Sequence, residues 1–402
     1  MTEVTDAAAR EAQWQRWRSV AELYHAYFTG LILTVVTRRG TADAAEFVFR
    51  VFRRQQQERF LPGLEKLGLK HLPPAVAAAQ YHYLSNWIGG VCVEYMYESD
   101  RKAWIRYPPP RWIWKGTAIC GVPGEVSRAM LRGWHANNGV SLGNPKLGFV
   151  CTKQSVDGQD GLEGYYCEYD HPLELDQRLI FARHLEAPLF DAATAPALPV
   201  ASWPKPRLEK AYRNYAMEYV RTAAPVMVQL FGPEDAGYLL HLTGKLIGMQ
   251  YFDEIARGFG MGRGTAKEFD ELLRALFDAQ DDVADIDESD AEVYGVRQQT
   301  WKLMADVADY HPACAKVLEG LFEGLAAGCG RRIGVRMRPA ASGGPPFVWS
   351  IGLNPRGLRS PPAIPQAPIA PDAHGIGPDR VRKHRGAQRD RARARSGRAL
   401  DS

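Results

Sequence analysis

The chain has 402 residues, a hydrophobic fraction of 46% and ten Trp, which is enough for two or three domains with buried cores. Its formal net charge of +4 is unevenly distributed, because residues 352–402 carry eleven Lys and Arg against four Asp and leave the remainder mildly acidic. That charge balance argues against nucleic-acid binding as the main function.

The N-terminal residues lack the basic and then apolar pattern of a signal peptide. The longest apolar run, around residues 31–36, is far shorter than the roughly 20 residues that span a membrane. Six scattered cysteines without a Cys-x-x-Cys pair are typical of reduced thiols. The sequence therefore predicts a cytoplasmic protein with no membrane association.

The first third of the chain begins with the periodicity of helices. Apolar residues over 8–39 have heptad-like spacing, and Gly40 ends that stretch. A second helix is predicted over 42–67 with Gly68 at its C-terminus, and a third over 74–88.

From Val91 the sequence becomes aromatic, β-branched and alternating, which predicts strands up to about residue 114, interrupted by the prolines at 108–110. Helical period returns over 125–136. Two further strands are predicted over 147–152 and 164–170, on either side of a Gly- and Asp-containing turn.

Residues 186–206 contain five prolines among small residues and predict a semi-rigid linker. The order of elements then repeats. The predicted ranges are helices at 207–231, 233–258 and 265–279, a strand region near 292–304, a helix at 312–326 and strands at 332–338 and 347–351.

The apolar pattern of the first predicted helix recurs in the second half of the chain. The matched pairs are Val20 with Leu208, Tyr24 with Tyr212, Tyr27 with Tyr215 and Leu31 with Tyr219. Further along, Gly133 falls opposite Gly320. We therefore predict an α+β protein of two tandem related modules, 8–185 and 207–351, each a helical bundle followed by a small antiparallel sheet.

Residues 352–402 contain seven prolines and ten arginines with almost no apolar periodicity, which predicts a disordered basic tail. A solvated tail is the simplest interpretation. Contact with RNA or anionic lipid is an alternative, and a shifted reading frame of a GC-rich gene is another.

Module one carries a polar set that module two lacks. Cys120 follows a strand, and His135, Asn137 and Asn138 lie at a predicted helix end, followed by Cys151 and Cys167 in strands. Module two has Phe322 opposite His135 and Trp349 near the position of Cys167. A cysteine beside a histidine can act as a nucleophile with its base, and three cysteines with a histidine can bind zinc. Plain packing of small buried thiols is the third interpretation.

Three pieces of module one resemble a known family. They are Cys120, Leu147-Gly148-Phe149-Val150-Cys151 and Gly164-Tyr165-Tyr166-Cys167. This series resembles the L-2-amino-thiazoline-4-carboxylate hydrolase family. Its last strand also resembles that of vinyl-reductase-type small-molecule-binding domains. Tyr165 stands where the latter have Asp, and module two is covered only through its helices. The resemblance implies hydrolytic opening of a cyclic amidine-like ring, with a cysteine as nucleophile or metal ligand.

Two functions follow as expectations. The first is a hydrolase of a small cyclic C–N substrate, in which Cys120 or Cys151 attacks, His135 takes the proton, and Asn137 or Asn138 stabilises developing charge. It needs no cofactor, although zinc is an alternative. The second is a non-catalytic protein that binds a small aromatic or hydrophobic ligand. The predicted ligand-contacting residues are Trp104, Trp112, Trp114, Tyr166 and Cys167. A purely structural partner of a larger complex is a third possibility.

Overall fold

The computed structural model of the chain describes residues 2–286, 294–308, 310–339 and 347–353, without the side chains of residues 2–6, 112 and 339. The predicted basic tail lies outside these residues apart from its first two positions. The described part has an α+β fold with two sheets and forms one compact unit. The two predicted modules therefore do not form separate compact units.

Module one begins with three helices and continues as a sheet interrupted by short helices. Its helices are α1 (Thr2–Arg39), α2 (Thr41–Lys66), α3 (Pro74–Ile88), α4 (Gly124–Gly133) and α5 (Asn138–Ser141). Its strands are β1 (Glu94–Ser99), β2 (Lys102–Tyr107), β3 (Leu147–Lys153), β4 (Leu162–Glu168) and β5 (Leu179–Phe181). The segment 112–121, predicted as strand in its first part, forms two 3-10 turns because three prolines precede it.

Module two repeats this order. Its helices are α6 (Lys205–Phe259), α7 (Ala266–Ala279) and α8 (Lys316–Cys329). Its strands are β6 (Ala284–Ile286), β7 (Tyr294–Gln298), β8 (Ile333–Pro339) and β9 (Phe347–Leu353). Gly232 has a φ of 77° and a non-helical backbone, so α6 consists of two helices joined at the predicted break.

The two sheets have the same topology. Strands in module one lie in the order β1-β2-β4-β3-β5, and those in module two in the order β6-β7-β9-β8. All neighbours are antiparallel except the additional edge strand β5, which is parallel to β3. The predicted duplication is confirmed, since helices and strands follow in the same order and equivalent strands pair in the same way.

A pair of glycines shows how closely the modules correspond. A Cβ on Gly133 would lie 2.6 Å from the carbonyl oxygen of Phe49 in α2, and one on Gly320 would lie 2.1 Å from that of His241 in α6. Both glycines let one helix touch the backbone of another. The predicted match of Gly133 with Gly320 is thus a match of the same helix contact.

The first helix of each module packs against the other module. Tyr24 in α1 donates a hydrogen bond to Gln280 Oε1 at the end of α7, at 2.6 Å. Tyr215 in α6 donates one to Asn86 Oδ1 in α3, at 3.0 Å. These contacts exchange helices between the modules and explain why the described chain forms one unit.

The stretch Ala7–Arg39 in α1 is long and apolar enough to cross a membrane, judged by length and composition among the described residues. It contains the shorter apolar run noted in the sequence. Of its most apolar window, 61% is buried inside the protein. In this fold the apolar face of α1 forms core, mainly against α6.

Candidate ligand-binding cavity

A cavity of about 370 Å³ lies between the two modules, where the first part of α6 covers α2, α3 and the end of α4. Its size is typical of pockets for small organic ligands. The linker contributes Trp203, which is only 6% exposed. The linker is therefore part of the cavity wall as well as a spacer. The other aromatic lining residues include Phe52, Tyr81, Tyr107, Trp134, Tyr215 and Tyr219.

Two buried histidines form one wall of the cavity. The rings of His82 in α3 and His135, just after α4, are stacked with centroids 4.1 Å apart and planes at 15°. His82 Nδ1 lies 3.1 Å from Tyr107 Oη, and His135 Nδ1 lies 2.7 Å from Tyr166 Oη. Each ring is thus fixed by a tyrosine of the sheet.

Asn138 joins the two histidine–tyrosine pairs into one network. Its Nδ2 donates to Tyr166 Oη at 2.8 Å and to His82 Nε2 at 3.1 Å. Its Oδ1 accepts a hydrogen bond of 3.3 Å from Gln56 Nε2 in α2. Because Nε2 of His82 accepts, its Nδ1 carries the proton and donates to Tyr107, which describes a neutral imidazole.

Burial keeps both histidines neutral. Desolvation, with a smaller contribution from the charge of Arg111, lowers the pKa of His82 to about 3. Desolvation also lowers the pKa of His135 well below its ordinary value, with smaller contributions from His82 and Arg111. At neutral pH these rings act as planar surfaces and hydrogen-bonding groups, and they carry no charge.

Arg111 is the one charged group in this part of the cavity wall that is almost completely buried, at 7% exposed. Its guanidinium carbon lies 4.8 Å from the ring centroid of Tyr107. Its Nε and Nη1 have no hydrogen-bond partner among the described residues. Burial lowers the pKa of this guanidinium, but an arginine remains protonated in proteins.

The opposite part of the wall carries paired charges. Arg59 donates two hydrogen bonds, of 3.1 and 2.7 Å, to Glu218 Oε1. The ammonium of Lys66 lies 5.0 Å from the ring centroid of Trp203. With Arg111, three cations and one carboxylate line the cavity, so its lining is positively charged.

In module two, Phe322 occupies the position that His135 has in module one. Phe322 packs against Phe277 and Trp349, with ring centroids 5.5 and 4.8 Å away, and all three residues are buried. Trp349 Nε1 donates to Gln298 Oε1 at 3.0 Å. Strand pairing aligns Trp349 with Gly164, and not with the position of Cys167.

The structure brings together three of the predicted site residues, His135, Asn138 and Tyr166. Asn137 serves a different purpose, because its Nδ2 donates to the carbonyl oxygens of Arg132 and Gly133 and caps the end of α4. Of the three, only His135 reaches the cavity surface, and the other two fix its position.

The three predicted cysteines lie elsewhere. Cys120 is exposed on a 3-10 turn, and Cys151 is buried in β3, where burial raises its thiol pKa to about 12. Cys167 alternates with Tyr166 along β4 and so lies on the other sheet face, and desolvation raises its pKa. In the described part, none of them lines the cavity or contacts His135. The predicted cysteine–histidine pair is not formed.

The alternative zinc set is not assembled either. Within the residues that the structure describes, no group of three or more His, Cys, Asp or Glu side chains could hold a metal ion. The three cysteines and His135 are spread over a turn, two strands and a helix end, so they do not surround one point.

None of the predicted ligand-contacting residues whose side chains the structure describes lines this cavity. Trp104 lies on the sheet face away from the helices, packs on Tyr165 and donates to Glu98 Oε2 at 2.6 Å. Trp114 is buried core outside the cavity lining, and the side chain of Trp112 lies outside the described residues. Sequence reasoning missed His82 and Arg111. A single arginine between three prolines and a Trp-rich segment was the available signal for the latter.

Comparison of the chain with protein-family models, with curated proteins and with solved structures finds no match in any of the three. The resemblance of module one to the thiazoline-carboxylate hydrolase family therefore remains a prediction.

Proposed function

We propose that this protein binds a small, planar and largely apolar ligand in the cavity between its modules, without catalysing a reaction on it. The observation that carries the proposal is the contrast between the modules. His135 lies at the cavity surface in module one, whereas Phe322 at the equivalent position of module two is buried against Phe277 and Trp349.

The shape of the cavity wall supports a planar ligand. The stacked rings of His82 and His135 form a flat surface, and Trp134 lies 6.3 Å from Tyr81 with its plane nearly parallel to it. Hydrogen bonds with Tyr107 and Tyr166 fix the two imidazoles. A rigid aromatic wall binds a flat ligand with little loss of side-chain entropy.

The chemistry of the wall favours binding over hydrolysis. No cysteine lines the cavity among the described residues, so the expected thiol nucleophile is missing there. An imidazole whose pKa is lowered to about 3, such as that of His82, is a weak base at neutral pH. The same neutral rings are well suited to packing against an aromatic ligand.

A neutral fluorescent probe tests this proposal. N-phenyl-1-naphthylamine should bind the protein with a fluorescence increase that saturates at one probe per chain. The variant Ala211→Trp places a large ring in the cavity lining and should abolish that saturable increase. Its matched control, Ala12→Trp, changes an exposed helical alanine and should bind as the original protein does.

Equal binding by both variants would show that the probe sits elsewhere and would contradict the proposal. Turnover of the bound molecule would contradict its non-catalytic part. To test that part, cyclic amidines are incubated with the protein and with Cys151→Ser. The proposal expects no ring opening by either.

A further inference from the structure

We propose that the ligand of this cavity carries a single carboxylate or an equivalent anion, and that Arg111 binds it. This inference rests on the proposed ligand-binding function and names the chemical class of the ligand. It follows from a buried cation in the cavity lining that has no anionic partner among the described residues.

The surroundings of Arg111 are neutral. Its closest ring is that of Tyr107, and the electrostatic neighbours that influence it are the hydroxyls of Tyr107, Tyr215 and Tyr219. Burial raises the pKa of Tyr107 and of Tyr219, so these phenols remain protonated at neutral pH. None of them compensates the positive charge.

The carboxylate in the cavity lining is already engaged. Glu218 accepts two hydrogen bonds from Arg59, and its other oxygen lies 3.5 Å from Arg221. It is therefore shared between two other guanidinium groups, and no ion pair between Glu218 and Arg111 is formed in the described part.

An unpaired buried guanidinium is costly, and a ligand anion would offset that cost. Removing a charge from water is compensated in proteins by an opposite charge and by hydrogen bonds to its donors. Arg111 lines the cavity, and its Nε and Nη1 have no acceptor among the described residues. The neighbouring apolar wall then fits the rest of a planar acid, such as an aromatic or heteroaromatic carboxylate.

The experiment compares an acid with its neutral isostere. Naphthalene-2-carboxylate and naphthalene-2-carboxamide have nearly the same shape, and only the first is an anion. Calorimetric titration of the full chain should give a Kd for the carboxylate at least ten-fold lower than that for the amide. The ratio should persist at high salt, because salt screens a buried pair less than an exposed one.

Variants assign the preference to one residue. Arg111→Met keeps the length of the side chain but removes its charge, and the two Kd values should become equal within two-fold. Arg111→Lys keeps the charge and should retain part of the preference. The matched control Arg50→Met makes the same substitution at an exposed arginine outside the cavity lining and should leave the ratio unchanged.

The outcomes separate the two proposals. Binding of the probe N-phenyl-1-naphthylamine with equal Kd values for acid and amide keeps the binding function and overturns the anion inference. A preference that survives in Arg111→Met overturns the assignment to Arg111. Absence of binding by all three compounds overturns both proposals. The comparison of acid and amide on the original chain needs no variant, so a misfolded variant does not prevent the test.

Discussion

The interiors of the two modules occupy the same place behind equivalent sheets and are built from opposite chemistry. In module one, His135 stacks on His82 and binds Tyr166 within a hydrogen-bonded network beside an open cavity. In module two, Phe322 packs on Phe277 and Trp349 in a buried aromatic cluster. One backbone therefore supports either an imidazole or an apolar ring at this position.

Strand pairing identifies the positions responsible. The alignment of β2 with β7 places Tyr107 opposite Gln298, and that of β4 with β9 places Gly164 opposite Trp349. A buried polar network is harder to satisfy than an apolar cluster and contributes less to stability. Module two also buries polar groups, since Gln298 accepts a hydrogen bond from Trp349 and donates one to Asp282, but the position of His135 is polar in module one alone.

The largest expected effect of a single substitution tests whether the shared helix contact supports both modules equally. Gly133→Ala and Gly320→Ala should each lower the free energy of unfolding by about 3 kcal/mol, because the new methyl group would clash with a backbone carbonyl. Urea unfolding measures the change. The control Gly237→Ala, where a Cβ would have its nearest neighbour at 3.6 Å, should stabilise by up to about 1 kcal/mol.

A large loss of unfolding free energy in only one of the two alanine variants would contradict the equivalence of the two modules. It would mean that the matched glycines have different structural roles despite their matched positions, and that the modules tolerate backbone shifts differently.

The next expected effect is a loss of folding stability as pH falls, and it should arise from residues of module one. An unfolded chain binds a proton at each histidine below pH about 6.5, whereas buried His82 and His135 stay neutral, so stability falls as pH falls. Between pH 7 and 5 each histidine should cost about 2 kcal/mol. Buried His25, with a pKa lowered to about 4, adds to the loss.

Asp282 in module two has the opposite effect and stabilises the folded chain as pH falls. Burial raises its pKa to about 6, so at pH 5 the folded chain holds a proton that the unfolded chain releases. This difference adds about 1 kcal/mol to the free energy of unfolding. Urea unfolding at the two pH values gives the net change. His135→Phe, which introduces the residue type of module two, should reduce the loss by about 2 kcal/mol. His71→Gln, at an exposed site, should leave it unchanged.

The smallest expected effect on stability concerns the hydroxyl of Tyr166 in module one. Tyr166→Phe removes the atom that His135 Nδ1 and Asn138 Nδ2 both contact, so it should destabilise by about 1 kcal/mol. Tyr97→Phe removes an exposed bond to Asp100 and should change stability much less. Equal losses in the two variants would show that burial does not strengthen the network.

Much of the fold was predictable because it is repeated. The predicted third helix has the bounds of α3, and the match of Gly133 with Gly320 is a true structural equivalence. The short strands β5 and β6 were missed, since three residues are too few for a periodic pattern. The cavity could not be predicted, because it depends on helices that cross between the modules.

The site was predicted in part. His135 and Asn138 were identified from their polarity at a helix end that is apolar in module two. The cysteines misled, because a thiol in a buried strand such as Cys151 packs like a small apolar residue. His82 gave little signal, since a single histidine in an alanine-rich helix looks the same whether it faces a cavity or the core.

The exchange of first helices has a consequence for ancestry. When Tyr24 of one module reaches Gln280 of the other, and Tyr215 reaches back to Asn86, each half completes its neighbour. A single ancestral module with this contact would have existed as a pair of identical chains, and identical chains must carry identical interiors. In a single chain the two halves need not be identical, so one can carry His135 at a cavity surface while the other buries Phe322 at the equivalent position.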